Sequence, residues 1–373
     1  MDAHCGLGAG KEGMGPLYAE PFPLAYRPDA LEVVERHRRL WTGKMRRGIL
    51  ARVDPEDLPF VDHLVAIPDV PHMVEAWEHN FRLHAAVRDD FLPVAKVSFG
   101  SAAFGGFLGA EVLFKGGAGW ARPILEDYGQ MDRLRWDPHN PWVQRQLEAC
   151  REFLRAARGK FALMETETMD GLNFAENVRG SAAYADIYEH PEELKRLMDF
   201  ACDFNIRLIA AQRRILAPAS RYQEGMFFAH QIWLPGRPVW LSVDAYALCS
   251  PKTFAEFGRP WLQRIVDHFG SGWLHVHAAG MYLLPVLVRL RRLWGIQFSE
   301  DPGHPRPFDR LEEIRAIVGD LPVMVECTGP ELERGLAEGT LPGGVMYCVL
   351  EGVATVREAN RLMEKVRAHQ SPV

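Results

Sequence analysis

The sequence predicts an α/β fold, a single (β/α)8 TIM-type barrel with an N-terminal extension, on three observations. From Pro238 onward, strand-like and helix-like patterns alternate without interruption; the links between them are short; and polar residues recur where the strand patterns end. Repeated βα units with short links require parallel strands, and this many in one chain favour a sheet closed on itself over an open doubly wound sheet. With 373 residues, 47% hydrophobic and 25% charged, the chain can build a large core.

Residues 1–45 read as an N-terminal arm with a short helix, partly disordered. The first 25 or so are glycine-rich, carry Pro16, Pro21 and Pro23, and offer no apolar face to bury, whereas residues 31–41 have helical character. Residues 46–370 read as the barrel. Lys44, Arg46 and Arg47 read first as a solvated face and second as an anion contact. Residues 71–89 suit a helix opened by proline, and 92–100 a glycine-terminated strand. Gly105-Gly106 and Gly116-Gly117 bracket a stretch carrying Trp120 and Arg122. Its glycines lack the order of a phosphate loop, so it reads as a long loop over a pocket.

A helix over 141–159 is closed by glycine and followed by a strand over 161–165. The helix from Pro191 carries Leu194, Leu197, Ala201, Phe204, Leu208, Ala211 and Ile215 at alternating threes and fours, a core-packing stripe. Strands are then expected at 239–243, 273–278, 296–299, 323–326 and 345–350. Helices are expected from Ser250-Pro251 and at 282–293, 309–318 and 330–337. A last helix is opened by the capping box Thr355-x-x-Glu358.

The stretch from Gly272 to Gly280 holds the strongest chemical signal. On a strand, Trp273, His275 and His277 share one face, and the two histidine Cβ atoms lie roughly 6.5–7 Å apart, close enough to serve one metal ion or one anionic group. The plainer reading is a pair of hydrogen-bonded pocket-wall residues. Other strand ends carry Asp244, Glu300 with Asp301, Glu326 with Cys327, and Cys348 with Glu351. Each alone has a structural explanation, such as a cap, an ion pair or a small core residue. Together they point to one site at the C-terminal mouth. In that site Asp244 and Glu326 are acid/base candidates, and His275, His277 and Cys348 are metal-ligand candidates. Trp120, Arg122, Arg179, Tyr246 and Glu300 are candidate substrate contacts. Two histidines, one cysteine and an open fourth position suit zinc acting as Lewis acid or thiol activator.

A net charge of −6 supplies no basic face for nucleic acid or an anionic membrane. No apolar run is long enough to span a bilayer and no signal-peptide pattern opens the chain, so a cytoplasmic location is expected. Six widely spaced cysteines without a C-x-x-C pair argue against a disulfide framework or a structural zinc knuckle.

Over roughly residues 60–370 the chain resembles the uroporphyrinogen decarboxylase-like superfamily. The resemblance is carried by Asp89-Asp90-x-x-Pro93, Arg179-Gly180 ahead of His190-Pro191-Glu192-Glu193, and Pro235-Gly236 leading to Ser242-x-Asp244. Ser250-Pro251, the histidine strand and Gly343-Gly344 add to it. Arg46 and Arg47 stand near the place of the decarboxylase's carboxylate-binding arginine motif without reproducing it, so the resemblance leans to the zinc-dependent, corrinoid-linked methyltransferases. Those carry H-x-C-G on the strand and a later cysteine, together holding zinc. Aligned on the first histidine, their pair falls on His275 and His277. Aligned on the glycine, the register favoured because the loop follows it directly, His277 takes the histidine's place and Ala279 the cysteine's, so that either His275 compensates for the lost thiolate or the metal site is lost. Cys348 falls near the later cysteine.

The resemblance implies a small-molecule methyltransferase, zinc-assisted, with the corrinoid on a separate protein because the chain has no D-x-H-x-x-G motif; a homodimer is compatible with it. The alternatives are a metal-free lyase acting on a carboxylated substrate and a catalytically silent small-molecule-binding barrel.

Overall fold

Eight short runs of apolar residues form parallel strands, numbered here in chain order: β1 (Leu50–Val53), β2 (Val94–Lys96), β3 (Ala162–Met164), β4 (Val239–Leu241), β5 (Gly272–His277), β6 (Leu293–Ser299), β7 (Val323–Thr328) and β8 (Val345–Glu351). The computed structural model describes residues 24–62, 69–115 and 118–371, so the expected arm up to residue 23 lies outside the described residues. The fold is α/β with a parallel central sheet. Six strands pair in the order β1-β8-β7-β6-β5-β4, and β2 pairs with β3 in a second parallel ladder. Every β-neighbour from β4 to β8 is also a neighbour in sequence, and β1 returns to pair with β8, Leu50 opposite Met346.

Between β1 and β2 two aspartates take over from the ladder. The Asp90 N–H donates to the Ala51 carbonyl at 2.9 Å. In return the Asp90 carboxylate accepts from the Ala51 N–H at 3.0 Å, and that of Asp89 from the Val53 N–H at 2.9 Å. The outward N–H groups of β1 are thereby satisfied without a continuous strand beside them. Between β3 and β4 the Thr168 hydroxyl donates to the Trp240 carbonyl.

Side-chain alternation divides the apolar residues into two cores. The larger lies between strands and helices and includes Ala51, Val53, Leu241, Leu274, Val276, Val323 and Val325. The smaller gathers the opposite face of the strands: Leu50, Val94, Ala162, Trp240, Trp273, Met324 and Met346. It also holds Leu40 and Trp41 of the helix Ala30–Trp41, and the Trp41 ring meets Trp273 edge-on at 4.9 Å. That helix therefore contributes to the core.

The elements deviate from expectation where local geometry overrides the apolar pattern. The helix expected over 282–293 is reduced to Leu284–Leu287, preceded by a 3-10 turn. Arg292 takes a φ of +64°, which no helix continues through, and β6 starts at Leu293. In the helix Pro191–Ser220 the stripe is buried from Leu194 to Leu208, after which Gln212 and Leu216 take the inward places. An antiparallel three-stranded unit (Arg221–Tyr222, Gly225–Phe228, Ile232–Pro235) feeds Met226, Phe228 and Trp233 into the smaller core, a contribution the sequence pattern does not announce. Among the described residues no helix is long and apolar enough to cross a membrane.

Candidate metal centre

β5 delivers its histidines as the alternation requires. The His275 and His277 rings lie 4.7 Å apart, centroid to centroid, nearly perpendicular. β4 is the ladder neighbour of β5, and Asp244 opens the 3-10 turn just beyond β4. Among the described residues, one group of three potential ligands converges: an oxygen of Asp244 and nitrogens of His275 and His277 all lie within 4.8 Å of one another.

The hydrogen bonds behind the rings decide which nitrogens are free. His277 Nδ1 stands 2.8 Å from Asp301 Oδ1, while Asp301 Oδ2 accepts the Ala279 N–H at 2.9 Å. Burial pushes the Asp301 carboxyl up, but the Ala279 N–H and His277 outweigh it and hold the group below its ordinary value, so it accepts and His277 donates through Nδ1. His275 Nδ1 meets Gln297 Oε1. Gln297 Nε2 donates to Ser299 Oγ at 2.8 Å, which donates to Glu326 Oε1 at 3.0 Å, and Glu326 Oε2 accepts the Glu300 N–H at 2.9 Å. A carboxylate at the end of this chain can only accept, which fixes the direction of each bond back to His275 Nδ1–H. Both rings therefore engage Nδ1 as a donor, which leaves Nε2 as the nitrogen each can offer to a metal, the arrangement that metal-binding histidines use. Burial also holds His275 below its ordinary pKa, against the upward pull of Asp244 and Gln297, so the ring is neutral near pH 7.

Beside this group lies a cavity of about 200 Å³ lined by Lys96, Glu167, Asn173, Trp240, Ser242, Asp244 and His275, among others. Lys96 Nζ is 3.1 Å from Glu167 and sits 4.9 Å over the Trp240 ring. Burial raises the Glu167 carboxyl, but Lys96 brings it below its usual value. Neither Lys96 nor Glu167 is among the residues singled out from sequence. The signal was there, because both follow the strand-end rule at β2 and β3.

Of the sequence-expected ligands, Cys348 is not part of the converged group. In register it faces Arg52 on β1 and Glu326 on β7, and β6 and β7 separate it from β5. It is buried, and burial pushes its thiol up to about 12. Glu326 acts behind His275 through Ser299 and Gln297, away from the cavity. Tyr246 is buried with its hydroxyl donated to the Phe257 carbonyl at 2.6 Å, so it packs and does not face a substrate. Glu300 pairs with Arg306 at 2.6 Å. Arg179 is tied to Asp186 at 2.5 Å and to the carbonyls of Leu125 and Glu126. Where the sequence suggests a long loop over a pocket, Val112–Lys115 and Ala118–Ala121 form an antiparallel hairpin carrying Trp120; Arg122 pairs with Glu111 at 2.9 Å just beyond its ends, and neither Trp120 nor Arg122 lines the cavity. The chain matches no family model, and no curated protein matches it in sequence.

Proposed function

We propose that the protein is a zinc-assisted, small-molecule methyltransferase of the uroporphyrinogen decarboxylase-like superfamily, a closed (β/α)8 barrel that exchanges its methyl group with a separate corrinoid protein. Closure is supported by the return of β1 to β8, by the aspartates bridging β1 and β2, and by an inner core drawn from strands all round the sheet. The zinc reading rests on one observation, the convergence of His275, His277 and Asp244 with both Nδ1 atoms engaged from behind.

Two imidazole nitrogens and one carboxylate with an open fourth position fit zinc. Bound there, zinc would act as a Lewis acid on a substrate thiol or a methyl ether oxygen. The chain's own residues would do the rest. Asp301 and Gln297 orient the rings; Lys96 meets a negative group of the substrate; Asn173 and Ser242 offer hydrogen bonds; and the Trp240 ring forms an apolar wall.

Metal analysis after purification without chelator is expected to find about one zinc per chain. His277→Ala and Asp244→Ala should lose most of it, while Cys348→Ala keeps it. Loaded protein should then demethylate methylcobalamin in the presence of a thiol, or methylate reduced cobalamin from a methyl ether, read by the corrinoid absorbance. A wild type that neither carries zinc nor takes it up would sink this reading in favour of the metal-free lyase or the binding barrel.

A further inference from the structure

A second hollow, of about 610 Å³, lies at the opposite edge of the sheet. The segment 42–49, between the helix Ala30–Trp41 and β1, meets the end of the helix Val356–Ala368 there. Its wall carries six cationic side chains, Arg36, Arg39, Lys44, Arg46, Arg47 and Arg367, and one carboxylate, Asp90. This is unexpected in a chain whose net charge is −6. The basic cluster at 44–47 would be a solvated face if it stood alone. Arg36, Arg39 and Arg367 arrive from two helices far apart in sequence and turn it into a concave basic surface.

The partners of these groups show what is left over. Arg36 Nε pairs with Asp90 at 2.6 Å, while its Nη2 is buried without a hydrogen-bond partner. Arg46 reaches Asp320 at 3.2 Å, but both side chains are largely exposed and such a pair is weak. Arg47 donates to the Ser371 carbonyl at 3.0 Å and Arg367 to the Arg88 carbonyl at 2.5 Å. Those carbonyls hold the guanidinium groups in place without neutralising them. Arg39 and Lys44 make no ion pair or side-chain hydrogen bond among the described residues. Four cations thus surround one hollow without a counter-charge.

Like charges repel, and a concave wall of one sign focuses its field on whatever enters. Arginine forks fixed in advance lose little freedom when they take up an oxyanion. We propose that this hollow binds a small polyanion carrying three or four negative charges, of which a diphosphate-bearing compound and a tricarboxylate are the two sources with this chemistry. A single phosphate is too weakly charged to balance the wall. Arg46 and Arg47 precede β1 whereas His277 ends β5, and the strands are parallel, so the ligand would occupy the edge away from the metal centre.

Titration calorimetry on the full chain, stripped with chelator so that no metal binds the probe, tests this at low salt with pyrophosphate, citrate and inorganic phosphate. Saturable binding of one pyrophosphate or citrate per chain is expected, about tenfold or more tighter than phosphate, and the tighter of the two identifies the source. Arg39→Gln combined with Lys44→Gln should weaken it by about tenfold or more without shifting the melting temperature, since neither side chain holds the fold, and His275→Ala should leave it unchanged. Absence of saturable binding by both polyanions overturns the proposal. So does equal affinity in the double variant, or loss of binding in His275→Ala with its fold intact.

Discussion

The Asp301 carboxylate commits both oxygens, one to His277 Nδ1 at 2.8 Å and one to the Ala279 N–H at 2.9 Å. An asparagine there can still accept one of these bonds but brings no charge and offers the other partner an N–H. Asp301→Asn is therefore expected to weaken zinc binding by about 10–100-fold, read by competition with a chelating dye, while the melt of the stripped protein changes little. His37 shows the same dependence on a fixed tautomer, this time inside the core. Its Nε2 donates to the Asp90 carbonyl at 2.7 Å and its Nδ1 accepts the Trp233 N–H at 3.1 Å. Burial lowers its pKa from 6.5 to about 3. Below pH 6.5 the unfolded chain takes up a proton at His37 that the folded chain refuses, so stability falls as pH drops towards 3, by about 1.4 kcal/mol per pH unit from this group. In His37→Gln that part of the slope should vanish, which urea melts at neutral pH and about two units lower would reveal.

Among the elements, the join between β1 and β2 depends most on single side chains. Asp89 is fully buried, accepts from the Val53 and Phe91 N–H groups, and faces His84 at 2.9 Å and Arg27 at 3.3 Å. Burial raises its carboxyl, but His84 and Arg27 more than offset this and keep it ionised. Asp89→Ala leaves the Val53 and Phe91 N–H groups without their acceptor and takes the carboxylate away from Arg27 and His84, and is expected to cost about 3–5 kcal/mol in a denaturant titration. The sequence signalled Asp89-Asp90 only as part of a resemblance, because no periodicity rule describes a carboxylate standing in for a strand. The later strands were legible because runs such as Val323-Met324-Val325 are bounded by Pro322 and helix signals. β1 was not, since Leu50-Ala51-Arg52-Val53 follows basic residues and is too short to show alternation. The same limit applies at the site. Period two told that His275 and His277 share a face, and nothing in it said that Asp244, one strand away, stands nearer than Cys348, three strands away.

Across the whole molecule, the candidate ligands come from two neighbouring strand ends, so a bound ion would link β4 and β5 in the folded state only. Stripped protein is expected to gain about 2.7 kcal/mol when zinc is restored to about 100 times its dissociation constant, seen as a higher melting midpoint that His277→Ala does not show. The strand that carries the two histidines also contributes to the smaller core. Trp273, on the same strand and fully buried, touches Trp41 from outside the sheet, and its indole N–H lies 3.3 Å from His230 Nδ1. His230 stands in turn 6.2 Å from the His275 ring, centroid to centroid. This indole sits where a charge arriving at the histidines alters its electrostatic surroundings. The strand that holds the ligands thus carries its own optical reporter: the emission of Trp273, isolated as the difference between wild type and Trp273→Phe, registers occupancy of the centre without any added dye.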